Sequence, residues 1–308
     1  MDQTTRIPIE TGRSTARTLS PQMEGMLFGG LGVLAFSLTM PATRAAAPEL
    51  GGVFVGLGRS LVAALPAGVV LLWMREPLPA RRHWAGLAVV ALGVIIGFPL
   101  LSALAMQSLP AAHGAVATGL LPAATAVMGA LRAGEKPSKL FWFGCIVGVA
   151  AVLAFAMTEG AGRPQPGDLL LLVAVGLGAL GYAEGGRLAR EMKGWRVICW
   201  ALVLVAPLLI VPIALAIGKH GVHASPRAWI GFGYVAIISA FLGFFAWYRG
   251  LAAGGVARVG QIQLVQPVLT LGWSALLIGE PLRLPSVLAS LTLIGVAVCM
   301  QRLRRVQP

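Results

Sequence analysis

Arg59 lies within an apolar run from Gly51 to Trp73 that holds no acidic residue. A guanidinium keeps its charge at any physiological pH and carries five N–H donors in a rigid fork. In apolar surroundings it has two uses: to bind a carboxylate or gate a cavity, or to bond carbonyls at helix ends as a structural group. Glu184 is the one acid of eleven that falls well inside an apolar run. It either receives an ammonium group or a proton, or pairs with Arg187 one helical turn later. Gln261, Gln263 and Gln266 cluster just before Pro267. Buried amides need partners, supplied either by a bound molecule or by neighbouring helices. Tyr182 and Trp247 offer aromatic surface with a polar edge, deep enough in their runs to face a cavity. Tyr248, next to Arg249, is expected at a membrane interface. Ser37, Thr39 and Thr118 are small hydroxyls that line a cavity or bond their own helices. His113, with Gln107, flanks a turn, and a lone histidine there is expected as an interface residue rather than a proton carrier.

Catalytic constellations are missing. The chain has no HExxH, no GxSxG and no Walker-type loop, and Asp2 and Asp168 are its two aspartates. An ATP-driven pump within this chain is thereby excluded. Cys145, Cys199 and Cys299 lie far apart in apolar runs without metal-ligand spacing, so they read as small core residues. No metal and no cofactor is expected.

The elements that must hold these residues are membrane helices. The chain is 57% hydrophobic and 11% charged, where a soluble domain is about 25% charged. Apolar runs long enough to cross a bilayer recur near 23–41, 51–73, 84–104, 110–131, 139–158, 168–189, 195–217, 228–249, 256–278 and 284–301. Helices are the spanning form for such runs, because lipid cannot satisfy a free backbone N–H or C=O. Short connections contain Pro, Gly and Arg; residues 1–22 are polar and basic and are expected to be a disordered tail, with 302–308 a second short tail. The net charge of +13 is spread over loops without aromatic–basic interleaving, which excludes a nucleic-acid partner. The partners expected are the lipid bilayer and a small molecule. Eighteen Lys and Arg residues lie in the tails and even-numbered connections, and five in the alternate ones. By the positive-inside rule both termini are cytoplasmic, in a multi-pass protein of the bacterial inner (plasma) membrane with an even number of spans. Arg44-Ala45-Ala46-Ala47 is similar to a signal-peptidase site. Cleavage there would leave the first half one helix short, and the run is expected to stay. A monomer suffices for this plan, and the sequence does not set the oligomeric state.

The halves repeat. Pro122 leads to Gly134-Glu135 and Pro267 to Gly279-Glu280, with the two modules 145 residues apart. Thr125, Ala130 and Leu131 fall on Thr270, Ala275 and Leu276. Ten spans split by this offset give five and five, over 23–158 and 168–301. An odd number per half inverts the second half, and inverted repeats around a central cavity give a route to alternating access. Pro122 and Pro267 are the paired hinge candidates, since each removes a backbone bond within a span. Glu135 and Glu280 then sit on opposite faces as capping or gate residues.

In order along the chain, Gly58-Arg59-Ser60, Pro122 to Gly134-Glu135-Lys136 with Gly144, Gly181-Tyr182-Ala183-Glu184, Trp247-Tyr248-Arg249-Gly250-Leu251, Gln266-Pro267 and Gly279-Glu280-Pro281 form a pattern. It resembles the EamA-type drug/metabolite transporter superfamily over nearly the whole chain beyond the first tail. The resemblance implies ten transmembrane helices and export of small metabolites, including neutral and aromatic amino acids as in the YddG-type branch. The chain departs from that pattern at Ser37-Leu38-Thr39-Met40-Pro41, where a tryptophan-containing start is usual, and in the run before Pro122.

Overall fold

A computed structural model describes residues 20–133, 139–159, 163, 165–255 and 259–304, and the regular elements among them are helices. In chain order these are α1 Pro21–Leu50, α2 Gly52–Trp73, α3 Arg81–Ala105 and α4 Ala111–Leu131, then α5 Lys139–Glu159, α6 Pro166–Met192 and α7 Gly194–His220. They are followed by α8 Pro226–Gly254, α9 Gly260–Ile278 and α10 Leu284–Arg304. Eight of them, α1–α4 and α6–α9, are long and apolar enough to cross a membrane, and α5 and α10 carry shorter apolar stretches at Trp142–Thr158 and Leu284–Val296.

Residues 42–50, read from sequence as a connection, instead continue α1 as helix. The Ala45–Ala47 run is part of it, with Ala46 and Ala47 fully buried. The first helix is broken at Leu38 rather than ended. The cause is Pro41, which has no N–H for the Ser37 carbonyl four residues earlier. Thr270 Oγ1 of α9 donates to that carbonyl at 2.8 Å. The same device recurs in α3, where Pro99 frees the Ile95 carbonyl and Ser60 Oγ of α2 donates to it at 2.8 Å. A hydroxyl from the next helix thus does what water cannot do inside a membrane.

Close packing relies on glycine. Helices in lipid gain little from burying apolar area against each other, so van der Waals fit decides. Gly25 and Gly29 of α1 meet Gly250 and Gly254 of α8 so tightly that a Cβ on Gly25 would stand 2.5 Å from Gly254 Cα. A comparable seam joins α3 to α6, where a Cβ on Gly93 would stand 2.5 Å from the Leu177 carbonyl oxygen. α2 runs along α7, and α5 packs on α10. Leu65, Val69, Leu72 and Trp73 of α2 and Leu208, Val211 and Leu215 of α7 remain exposed, an apolar outer belt suited to acyl chains.

Regular helix gives way at matching places. A π-helical segment occupies Ala91–Gly97 in α3 and another Tyr234–Leu242 in α8. Their ends, Gly97 and Leu242, are separated by the same 145 residues as Pro122 and Pro267. α4 is interrupted by a turn at Gly119–Leu120 before Leu121-Pro122, and α9 opens with 3-10 helix over Gly260–Val265 before Gln266-Pro267. Each proline therefore starts a new helical segment after a break, as a residue without an N–H favours.

Candidate functional site

Residues at or near the breaks of α1, α3, α8 and α9, with one residue each from α2 and α6, line a small cavity of about 20 Å³, room for roughly one water molecule. Arg59, Thr39, Tyr182, Ser239 and Gln266 supply its polar wall, and Phe36, Met40, Val94, Phe98 and Phe244 its apolar wall. Arg59 is 2% exposed. One of its nitrogens, Nη2, donates to Ser239 Oγ at 3.4 Å, while Nε and Nη1 are buried without a partner. Ser239 Oγ also shares a 2.8 Å hydrogen bond with Thr39 Oγ1, so α1, α2 and α8 converge on one hydroxyl. A full positive charge with two idle donors in an apolar enclosure is an expensive arrangement, and an incoming oxyanion would relieve it.

The three glutamines separate. Gln266 lines the cavity with its Oε1 unpartnered. Gln263 is fully buried, and neither atom of its amide has a partner. It lies three residues earlier, in the 3-10 segment, and is not part of the cavity wall. Gln261 is only partly buried.

Tyr182 lines the cavity, whereas Trp247 is not in its wall and is fully buried against Tyr182 and Phe36. Phe36 stacks on Tyr182 with centroids 6.1 Å apart and tilts against Phe244 at 5.0 Å, and Tyr182 meets Trp247 at 5.5 Å. Tyr248 corrects the sequence reading: it is fully buried rather than at an interface, and its hydroxyl donates to the Gly181 carbonyl at 3.3 Å. The apolar environment of α8 and a missing side chain at Gly185 draw it inward; a Cβ there would overlap the Tyr248 ring.

Glu184 is outside the cavity wall. Its Oε1 accepts from Arg187 Nη2 at 2.7 Å, and Arg187 Nη1 reaches Glu191 at 2.7 Å, which in turn lies 3.1 Å from His83 Nε2. Of its two sequence readings, the turn-to-turn pair with Arg187 is the one formed. Ser37 acts as scaffold: its carbonyl receives Thr270 and its Oγ receives Trp273 Nε1 at 3.0 Å. Thr118 bonds the Ala115 carbonyl of its own helix, and Thr39 alone of the three hydroxyls reaches the cavity.

The face opposite the N-terminus is clasped by charge. Glu280 Oε1 accepts the N–H of Ala111, the first residue of α4, at 3.0 Å and lies 3.8 Å from Arg44 Nε. Arg44 Nη1 also donates to the Met106 and Gln107 carbonyls at 2.9 and 3.1 Å. Glu49 holds Ser225 N and Oγ at the start of α8. Carboxylates on orphan N–H groups at helix starts are favourable there. Glu135, the repeat partner of Glu280, lies outside the described residues. His113 is also corrected: it is 3% exposed and bonds Asp168 at 2.6 Å instead of sitting at an interface. Among the described residues no group of three or more His, Cys, Asp or Glu could hold a metal.

Sequence reasoning missed Ser239, Phe36 and Phe244. A lone serine in the apolar stretch of α8 was a usable signal for the first; phenylalanines in apolar runs carry none.

This architecture, apolar helices with breaks and π-turns around a polar cavity, is that of a membrane transporter. The chain belongs to the EamA-like transporter family, whose profile matches it twice, over residues 23–157 and 165–301. It is similar to the "Uncharacterized transporter YdeK" of Bacillus subtilis, at 41% identity over 289 residues covering 91% of this chain and 97% of that protein. It is also similar to "Protein PecM" of Dickeya dadantii, at 24% identity over 224 residues covering 69% of this chain and 71% of that protein. A solved crystal structure shares the fold with a TM-score of 0.63 at 19% identity, covering 92% of this chain and 99% of that one.

Proposed function

We propose that the protein is a secondary transporter that exports small metabolites bearing a carboxylate, neutral and aromatic amino acids first among them, by alternating access. Ten transmembrane helices form two inverted five-helix repeats, 23–158 and 168–301, in the bacterial inner membrane with both termini cytoplasmic. The observation that carries the substrate class is Arg59, buried in the cavity with two donors idle. A carboxylate would accept from them, while Phe36, Phe244 and Tyr182 would cover an apolar or aromatic side chain.

The repeat reading is supported by pairings that exchange when each helix is replaced by its counterpart five places on. α1 on α8 becomes α6 on α3; α2 with α7 and α5 with α10 map onto themselves. The cavity as it stands is too small for an amino acid, so a substrate enters only when helices move, and the paired breaks before Pro122 and Pro267 are suited to that motion.

The test is efflux and counterflow of a panel of labelled amino acids from liposomes holding the purified protein. Arg59→Gln is expected to lower uptake at limiting substrate roughly ten- to hundredfold, the value of one charge-assisted hydrogen-bonded contact. If no amino acid moves through the wild type, the substrate class is wrong, and a panel of other organic acids and drugs decides among the metabolite carriers of this fold. If Arg59→Gln transports normally, Arg59 is scaffold.

A further inference from the structure

Two residues of the cavity wall are unsatisfied in opposite senses. Arg59 has idle donors at Nε and Nη1, and Gln266 has an idle acceptor at Oε1. Gln266 is 4% exposed. Both residues line the same enclosure, yet they do not bond each other. A buried carbonyl oxygen without a donor is costly, and an arginine without an acceptor in apolar surroundings is more so. Each could have served the other. Because they stand apart, a molecule that satisfies both must accept from Arg59 and donate to Gln266.

The remaining wall narrows the donor. Thr39 Oγ1 and Ser239 Oγ are bonded to each other, and Ser239 also receives Arg59 Nη2. Among the fully buried side-chain atoms of the wall, Gln266 Oε1 is the acceptor left unpaired. No wall residue is acidic, so an entering cation meets a neutral oxygen and aromatic surface. Phe36, Phe244 and Tyr182 touch pairwise, with centroids 5.0, 6.0 and 6.1 Å apart. Ring faces attract an ammonium group by their quadrupole, and a charged donor strengthens a hydrogen bond to a carbonyl; a neutral hydroxyl gains neither.

The repeat supplies a comparison within the chain. With the 145-residue offset Gln266 falls on Leu121, Arg59 on Leu204 and Ser239 on Val94. Apolar residues hold the equivalent places of the opposite half. The scaffold by itself therefore does not require an amide or a guanidinium at these positions, and the polar member of each pair is the one in the cavity wall beside Gln266.

We propose that Gln266 is the specificity residue for the α-ammonium group of the substrate, its Oε1 accepting from the ammonium while Arg59 donates to the carboxylate. In an α-amino acid both groups sit on one carbon, so a single small ligand meets both residues. A des-amino acid satisfies Arg59 and leaves Gln266 idle. Gln266 thus favours the zwitterion by the strength of one charge-assisted hydrogen bond. This rests on the reading of Arg59 as the carboxylate partner.

The experiment measures equilibrium binding to the full chain in lipid nanodiscs. The ligands are phenylalanine and 3-phenylpropionate, the same molecule without its ammonium group. Gln266→Met removes the amide and keeps the side-chain length; Gln266→Leu places there the residue type of the equivalent position, Leu121. Either variant is expected to weaken phenylalanine binding about tenfold or more, the value of a hydrogen bond to a charged group. Binding of 3-phenylpropionate should stay nearly unchanged, whereas Arg59→Gln should weaken both ligands. Because the amide oxygen is unpartnered, neither Gln266 variant should lower the unfolding midpoint of the ligand-free protein. A lowered midpoint makes Gln266 scaffold and overturns the proposal, as does an equal effect on both ligands or none on either. Wild type that binds 3-phenylpropionate but not phenylalanine also overturns it and leaves the Arg59 reading intact. Wild type that binds neither overturns both.

Discussion

Arg59 and Glu184 are both charges inside apolar runs, and the structure gives them opposite environments. Arg59 is enclosed with idle donors, whereas Glu184 is held by Arg187, whose side chain is 49% exposed. A charge whose partner is already present is anchored; one without a partner awaits a ligand. Glu184→Gln is therefore expected to lower the thermal unfolding midpoint in detergent, by about 1–2 kcal/mol of stability after allowing for solvent around Arg187. The half-saturating substrate concentration should stay unchanged, and a shift in it would return Glu184 to the transport path. From sequence the two residues were equally open, because spacing reveals Arg187 as a partner but cannot reveal the absence of one for Arg59. Tyr248 and His113 illustrate the same limit: nearness to a span end in sequence says little when Gly185 and Gly194 let the Tyr248 ring pack inward and Asp168 on another helix receives His113.

At the scale of elements, four of the six helices that line the cavity are irregular, and α2 and α6, which bring Arg59 and Tyr182, are unbroken. α1 breaks at Leu38, α3 and α8 carry π-turns, and α9 begins as 3-10 helix. Prolines were visible in the sequence and marked most of these places. The hydroxyls that satisfy the freed carbonyls, Thr270 and Ser60, were not legible, because each lies on another helix. Pro267 leaves the carbonyl of Gln263 without its usual donor, which keeps the break open. Pro267→Ala would let regular helix form through the break. The expected outcome is a several-fold slower turnover in the liposome assay with an unfolding midpoint that does not fall. An unimpaired rate would remove this break from the transport motion.

For the whole molecule, the proposed topology, which follows the balance of Lys and Arg, puts the face carrying Glu24, Arg249, Glu191 and His83 in the cytoplasm and that carrying Glu280, Arg44 and Ser225 outside. Both faces are tied by ion pairs, Glu24 to Arg249 at 2.8 Å on one and the Arg44–Glu280 clasp on the other. Alternating access requires these ties to open in turn. The topology is checked by cysteine labelling in a variant whose three native cysteines are serine. In intact cells Ser225→Cys should react with an impermeant maleimide, and Arg75→Cys only after the membrane is permeabilised. The reverse pattern would invert the direction of transport argued above.

Composition, hydropathy and the doubled Pro…Gly-Glu module were enough to establish a duplicated membrane protein, since the bilayer forces apolar runs to be helices whatever they pack against. They also marked Arg59, Gln263 and Gln266 as costly residues in such runs. Only the tertiary structure decided which of those residues share an enclosure, that Glu184 is paired, and that His113 meets Asp168 across the two halves. The physical reason is range. Burial in lipid acts on each segment by itself and is written in its composition. Hydrogen bonds between helices depend on rotation and depth to within about an ångström, which no single segment specifies.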